Sequence, residues 1–138
     1  MKIKYDASHM KFMSFFESIT KAKLKDCFVD KNNMLFFVVE QNNIAKAIGK
    51  NGANVRIINE KLNRKIKIVE FNPQVESFVS NLISPLKAKD IRFENKILTI
   101  NSTDTKTRGL LIGRNAQNLR NYENTVKRYF DINEIKVI

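Results

Sequence analysis

The chain has 138 residues, 43% of them hydrophobic, and a formal net charge of +11 at pH 7. That length holds one modest domain or two small ones with a packed core, and no apolar run reaches the ~18 residues of a transmembrane helix. A balance this basic points to nucleic acid first and to a membrane surface second. The segment from Met1 to Asp6 lacks the apolar core of a signal peptide. The single Cys27 has no internal disulfide partner, which suits a reducing cytoplasm, the expected location. The sequon Asn101-Ser102-Thr103 is then chance.

In chain order, Phe12, Phe15, Phe16 and Ile19 predict a helix over residues 8–22, capped by Ser8 or Asp6. The phenylalanines read as core; an exposed base-stacking platform is the sharper alternative. His9, the only histidine, reads as a surface residue at the helix start. A hairpin follows, with strands Asp26–Asp30 and Met34–Val39 around Lys31-Asn32-Asn33. The second strand is apolar throughout, as a central strand covered on both faces would be. Cys27 reads as a small core residue. A short apolar helix, Ile44–Ile48, then runs into Gly49-Lys50-Asn51-Gly52. A longer helix leaves, with Val55, Ile58 and Leu62 on one face. Lys65–Phe71 alternates, predicting a half-buried strand with lysines on its open face. The order is α-β-β-α-α-β.

Asn72-Pro73 breaks the pattern and divides the chain into residues 1–72 and 73–138. So short a connection predicts that the two parts pack as one rigid body. Val75, Phe78, Val79, Leu82 and Ile83 form the cleanest amphipathic helix, ended by Ser84-Pro85. Lys89–Glu94 and Lys96–Asn101 read as a hairpin turning at Asn95. Ser102 or Thr103 is expected to cap a helix ending near Ile112. Gly113-Arg114-Asn115-Ala116 is the next turn. A long helix carries Leu119, Tyr122, Val126 and Phe130 inward, and Glu134–Ile138 closes as a strand. The order is again α-β-β-α-α-β. A shift of 64 residues lays Ile48–Arg56 on Ile112–Arg120, with five of nine positions identical. The shared pattern, I-G-[KR]-N-x-x-N-[VL]-R, marks two tandem copies of one domain.

Two glycines bracketing a cation and an amide suit a particular chemistry. Without Cβ atoms, a polyanion backbone can approach the main chain, and the outgoing helix offers its positive end. The charge gathers there. Residues 43–67 carry seven cations and one anion, and residues 106–128 carry six and one. Gly49, Gly52 and Gly113 are assigned to close backbone approach, and Lys50 and Arg114 to phosphate. Asn51 and Asn115 hold the loop or reach a phosphate. Ile44, Ile48 and Ile112 are either an apolar floor for bases or core. Arg56 and Arg120 are either phosphate contacts or a solvated face. Lys46, Asn54 and Asn118 complete the candidate set. Ala116 stands where the first copy has Gly52. If the loop needs a positive φ there, alanine costs about 1 kcal/mol or blocks contact, and the second loop binds more weakly.

This loop resembles the GXXG loop of KH domains, which clamps about four nucleotides of single-stranded nucleic acid. The resemblance implies an α+β fold of two tandem prokaryotic-type (type II) KH domains, each with a three-stranded sheet. It becomes more specific over Phe37-Val38-Val39, Ala47–Gly52, Asn54-Val55, Lys65–Glu70 and Ile112–Asn118, which look like the archaeal NusA-like transcription factors. It extends to Lys2-Ile3-Lys4 and Lys25-Asp26-Cys27, so the N-terminus is expected to be native. What this implies is a single-stranded RNA-binding factor in transcription elongation, termination or antitermination. Bacterial relatives carry an additional polymerase-docking domain and an oligonucleotide-binding barrel that this chain has no room for. Contact with RNA polymerase is therefore not inherited from the match. A ribosome-associated or ribosome-assembly protein is the competing reading. No Cys/His cluster, nucleotide-binding G-x-x-x-x-G-K-[ST] loop or catalytic triad occurs, so no enzyme, catalytic residue, metal or cofactor is expected. The sequence carries no signal for oligomeric state, and a monomer is the expectation.

Overall fold

The computed structural model describes residues 6–138. Lys2-Ile3-Lys4 and the rest of the segment weighed as a signal peptide lie almost wholly outside that range. The chain divides into two compact units, the first ending at Asn72 and the second spanning Pro73–Ile138.

The first unit begins with α1 (Ala7–Thr20), β1 (Leu24–Val29) and β2 (Leu35–Val39). It continues with α2 (Ile44–Ile48), a single 3₁₀ turn, α3 (Ala53–Leu62) and β3 (Ile66–Glu70). Asp6, not Ser8, caps α1, and its Oδ1 accepts the His9 N–H at 2.9 Å. The helix stops at Thr20 because Lys21 turns left-handed at φ 62°. Asp30 organises the hairpin turn, its carboxylate accepting the N–H groups of Asn32 and Met34 at 2.9 Å each. Met34 therefore belongs to the turn, and β2 starts one residue later than its hydrophobicity predicts.

β2 is central in the order β1-β2-β3, antiparallel to β1 and parallel to β3. All five of its residues are buried, as the unbroken apolar run required. One face joins Phe16, Cys27, Leu35, Phe37, Val39, Ala47 and Ile58 in a core. Phe16 stacks on Phe37 with centroids 4.3 Å apart. Phe12, Phe15 and Ile19 pack against the same core, so the phenylalanine cluster is core. β3 is half-buried, but the face read as open is partly covered: Lys65 is exposed, Lys67 is half-buried and Val69 is buried. Burial lowers the Lys67 ammonium pKa, against the pull of Asp30. Alternation marked the two faces of β3 but carried no information about how far the second one is covered.

The second unit repeats the plan with α4 (Val75–Ile83), β4 (Ala88–Glu94), β5 (Ile97–Ser102), α5 (Thr105–Ile112), a 3₁₀ turn, α6 (Gln117–Lys127) and β6 (Glu134–Val137). Its sheet order is β4-β5-β6, again antiparallel then parallel. The first hairpin has an irregularity between Leu24 and Asp26; the second has one between Ala88 and Asp90, 64 residues on. The repeat thus extends to a backbone distortion. The α4 stripe is buried as its spacing predicted. The hairpin turn is two residues, with Asn95 and Lys96 both left-handed, the geometry that suits the twist of the flanking strands.

Asp104 caps α5 in place of Ser102 or Thr103, accepting the Thr107 N–H at 2.7 Å. That bond holds the Asp104 carboxyl below its ordinary value of 3.8. A depressed carboxyl stabilises the fold above its unfolded value and loses that contribution as pH falls through the folded one. The second unit is therefore expected to lose stability on acidification below about pH 4, and Asp104→Asn should flatten that part of the curve. Urea unfolding at stepped pH measures it; identical acid slopes for the two proteins would count against the cap.

Candidate nucleic-acid interface

Both glycine turns have nearly the same backbone. Gly49 lies at φ 78°, ψ 169° and Gly113 at φ 74°, ψ 175°. Asn51 and Asn115 are left-handed at φ 55°. Gly52 follows at φ 73°, ψ 19° and Ala116 at φ 61°, ψ 22°. The Gly52 N–H donates to Gly49 O at 3.1 Å, and the Ala116 N–H to Gly113 O at 3.2 Å. Asparagine, which tolerates left-handed backbone, sits at the third position of both turns. No side chain caps α3 or α6, so neither positive helix end meets a protein carboxylate or hydroxyl as cap.

The first glycine of each turn has a packing reason. A Cβ on Gly49 would lie 2.9 Å from the Asn54 side chain, and one on Gly113 2.7 Å from that of Asn118. These amides tie the two helices of each pair together. Asn54 Nδ2 donates to Lys46 O at 3.0 Å, and Asn118 Nδ2 to Leu110 O at 2.9 Å. The space beside Gly49 and Gly113 is thus filled from within the protein. At Gly52 a Cβ would meet only Arg56 Nη1, at 3.6 Å. The methyl of Ala116 therefore has room, and its cost is the left-handed backbone alone.

Lys46, Lys50, Asn51, Arg114 and Asn115 are exposed. Ile44 packs against the core, whereas Ile48 is 38% exposed beside the loop. Ile112 is half-buried. The two arginines that align in sequence differ in space. Arg56 Nη1 reaches back and donates to Asn51 O at 2.6 Å, bracing the loop. Arg120 Nη1 reaches forward to both carboxylate oxygens of Glu123 at 2.7 Å. That partner raises the Arg120 pKa by hydrogen bonding and by its charge. Glu123 is 5% exposed, and its Oε2 also accepts the Ile135 N–H of β6 at 2.8 Å. In the sequence Glu123 is the one anion among the cations of residues 106–128, with no role assigned to it. A signal existed: it is four residues after Leu119 and three before Val126, on the inward face of α6.

Among the described residues, no group of three or more His, Cys, Asp or Glu side chains is placed to hold a metal. No helix among them is long and apolar enough to cross a membrane.

Residues 16–74 match the family model of the NusA-like second KH domain, a span that includes the first glycine loop. The whole chain is similar to archaeal proteins named "Probable transcription termination protein NusA". The Methanocaldococcus jannaschii protein is 27% identical over 140 residues, covering 99% of this chain and 76% of that one. The Halococcus morrhuae protein is 26% identical over 139 residues, with 99% of each chain covered. The Thermoplasma acidophilum protein is 27% identical over 139 residues, covering 99% of this chain and 96% of that one. The solved structure "Crystal structure of APE1850" superposes with a TM-score of 0.75 at 25% identity, covering 97% of this chain and all of that one. The paired sheets and turns of both units give the fold of two tandem KH domains, residues 16–74 match the NusA-like second KH domain, and the whole chain is similar to the archaeal NusA proteins.

Proposed function

We propose that this chain is an RNA-binding factor acting in transcription, and that each glycine turn clamps the backbone of single-stranded RNA. One observation carries the reading. Two helices meet at a left-handed turn whose outgoing helix has no side-chain cap, with an exposed cation at the turn, and this occurs twice. A phosphate seated there gains the helix dipole, backbone N–H groups and the Lys50 or Arg114 charge together. The names of the archaeal relatives support a role in transcription termination. Each turn would hold about four nucleotides, and two weak grips on one strand gain from their linkage. The first turn is the stronger partner, because it has Gly52 and a braced Asn51 where the second has Ala116 and an arginine turned away.

With roughly four phosphates neutralised, the slope of log affinity against log salt is about −3, so binding falls roughly fiftyfold from 50 to 200 mM salt. Fluorescence anisotropy of short RNAs across that range tests it; a flat response would remove the phosphate clamp. Co-purification with RNA polymerase rather than with ribosomal subunits separates transcription from a ribosomal role.

A further inference from the structure

We propose that Glu123 sets the unequal strength of the two turns, by holding Arg120 in a neutral pair and away from the RNA phosphate. The inference rests on the reading of the turns as RNA clamps and names the residue that tunes the second one. Arg56 and Arg120 are equivalent in the repeat, four residues beyond Gly52 and Ala116. Arg56 leans toward its turn and braces Asn51 O. Arg120 leans the other way, along its own helix, to Glu123. The two units carry their carboxylate at neighbouring positions: the first has Asn59-Glu60, with Glu60 exposed, and the second has Glu123-Asn124, with Glu123 buried. Sixty-four residues before Glu123 stands Asn59, which is exposed and uncharged.

Glu123 is not a surface carboxylate that a phosphate can easily displace. It is 5% exposed and anchored by the Ile135 N–H of β6 at 2.8 Å. A carboxylate so placed needs its cation, because a buried charge without a partner is strongly unfavourable. Arg120 therefore serves the fold first. The Arg120 side chain is 56% exposed, but the pair as a whole presents little net charge to a phosphate. Withdrawal of Arg120 also leaves the Asn115 turn without the brace that Arg56 gives Asn51. The second unit thus keeps the turn and the Arg114 charge while giving up one cation.

Glu123→Gln retains an acceptor for the Ile135 N–H and removes the charge that holds Arg120. In a protein whose first turn is disabled by Lys50→Asp/Asn51→Asp, it is expected to tighten RNA binding roughly threefold. It should also steepen the salt slope by about 0.7, one further single-strand phosphate. Arg120→Ala should erase that gain in the Glu123→Gln background; with Glu123 present it leaves a buried carboxylate unpaired and costs stability, while the RNA affinity of the folded protein changes little. This non-additivity is something a merely structural role for Glu123 would not produce. The converse variant lies on an exposed position and avoids a core substitution. Asn59→Glu places a carboxylate three residues beyond Arg56, and is expected to weaken RNA binding by the first turn severalfold, but not in an Arg56→Ala background.

Circular dichroism checks that each variant folds. Unchanged affinity and slope in Glu123→Gln, with Asn59→Glu acting equally with and without Arg56, would overturn the proposal. If Lys50→Asp/Asn51→Asp does not weaken binding by the otherwise native protein, the clamp reading itself fails and this inference falls with it. If that pair does weaken binding and Glu123→Gln still changes nothing, only the inference fails.

Discussion

Replacing Lys50 and Asn51 together by aspartate is expected to weaken binding of short single-stranded RNA by at least about thirtyfold without unfolding the protein. The first substitution turns the exposed cation of the turn into an anion. The second adds a negative charge at a left-handed position, φ 55°, that aspartate tolerates about as well as asparagine. Neither side chain is buried, so the fold has little to lose. Phosphate near the turn then meets two negative charges in place of a positive one, against the dipole of α3 that had favoured it. Arg114→Asp/Asn115→Asp makes the same change in the second unit. Its effect should be the smaller, because that turn already lacks an arginine brace and carries Ala116. A larger loss from the second pair would reverse this ranking. No loss from either pair would leave the turns as scaffolding and assign the basic surface to another partner.

Gly49→Ala is expected to destabilise the first unit by about 3 kcal/mol, whereas Gly52→Ala costs about 1 kcal/mol. Both residues have positive φ, but their surroundings differ. Gly49 sits at φ 78°, ψ 169°, a region only glycine enters freely, and its Cβ would press into the Asn54 amide at 2.9 Å. Gly52 sits in the ordinary left-handed region with room beside it. The second unit carries out the milder substitution naturally at Ala116, with the turn intact at φ 61°, ψ 22°. Removing Asn54 relieves the clash but also loses the bond to Lys46 O. Gly49→Ala should therefore cost less in an Asn54→Ala background than in the native one. Urea unfolding of the four proteins measures this. Equal costs for Gly49→Ala and Gly52→Ala would mean that the Asn54 packing does not matter.

Residue spacing located every helix and strand of the two units to within about three residues, the largest difference being α6, which ends at Lys127 and leaves Phe130 beyond it. The repeat of Ile48–Arg56 at Ile112–Arg120 identified one domain used twice. These features are local, or they repeat: an amphipathic stripe, an unbroken apolar strand and a glycine-flanked turn each carry their own pattern. The ends of elements were less legible, because a cap depends on which of several side chains reaches the helix. Asp104 won over Ser102 and Thr103 by placing its carboxylate on the Thr107 N–H. The half-burial of Lys67 was not legible either, since alternation names two faces without saying what covers them.

The largest gap concerns the division of labour inside the turns. In the sequence, Gly49 and Gly113 read as positions of ligand approach, and Arg56 and Arg120 read as interchangeable. Only the folded chain brings Asn54 against Gly49 across the turn and folds β6 back onto α6, so that Glu123 meets both Ile135 and Arg120. Those contacts join residues three to twelve positions apart; only the Arg120–Glu123 spacing follows the helix, and the others depend on a specific backbone path. The sequence by itself therefore determined the repeated architecture and where its two turns lie. Tertiary packing decided which groups in each turn remain free for a ligand, because burial and hydrogen-bond competition are settled only when the elements meet.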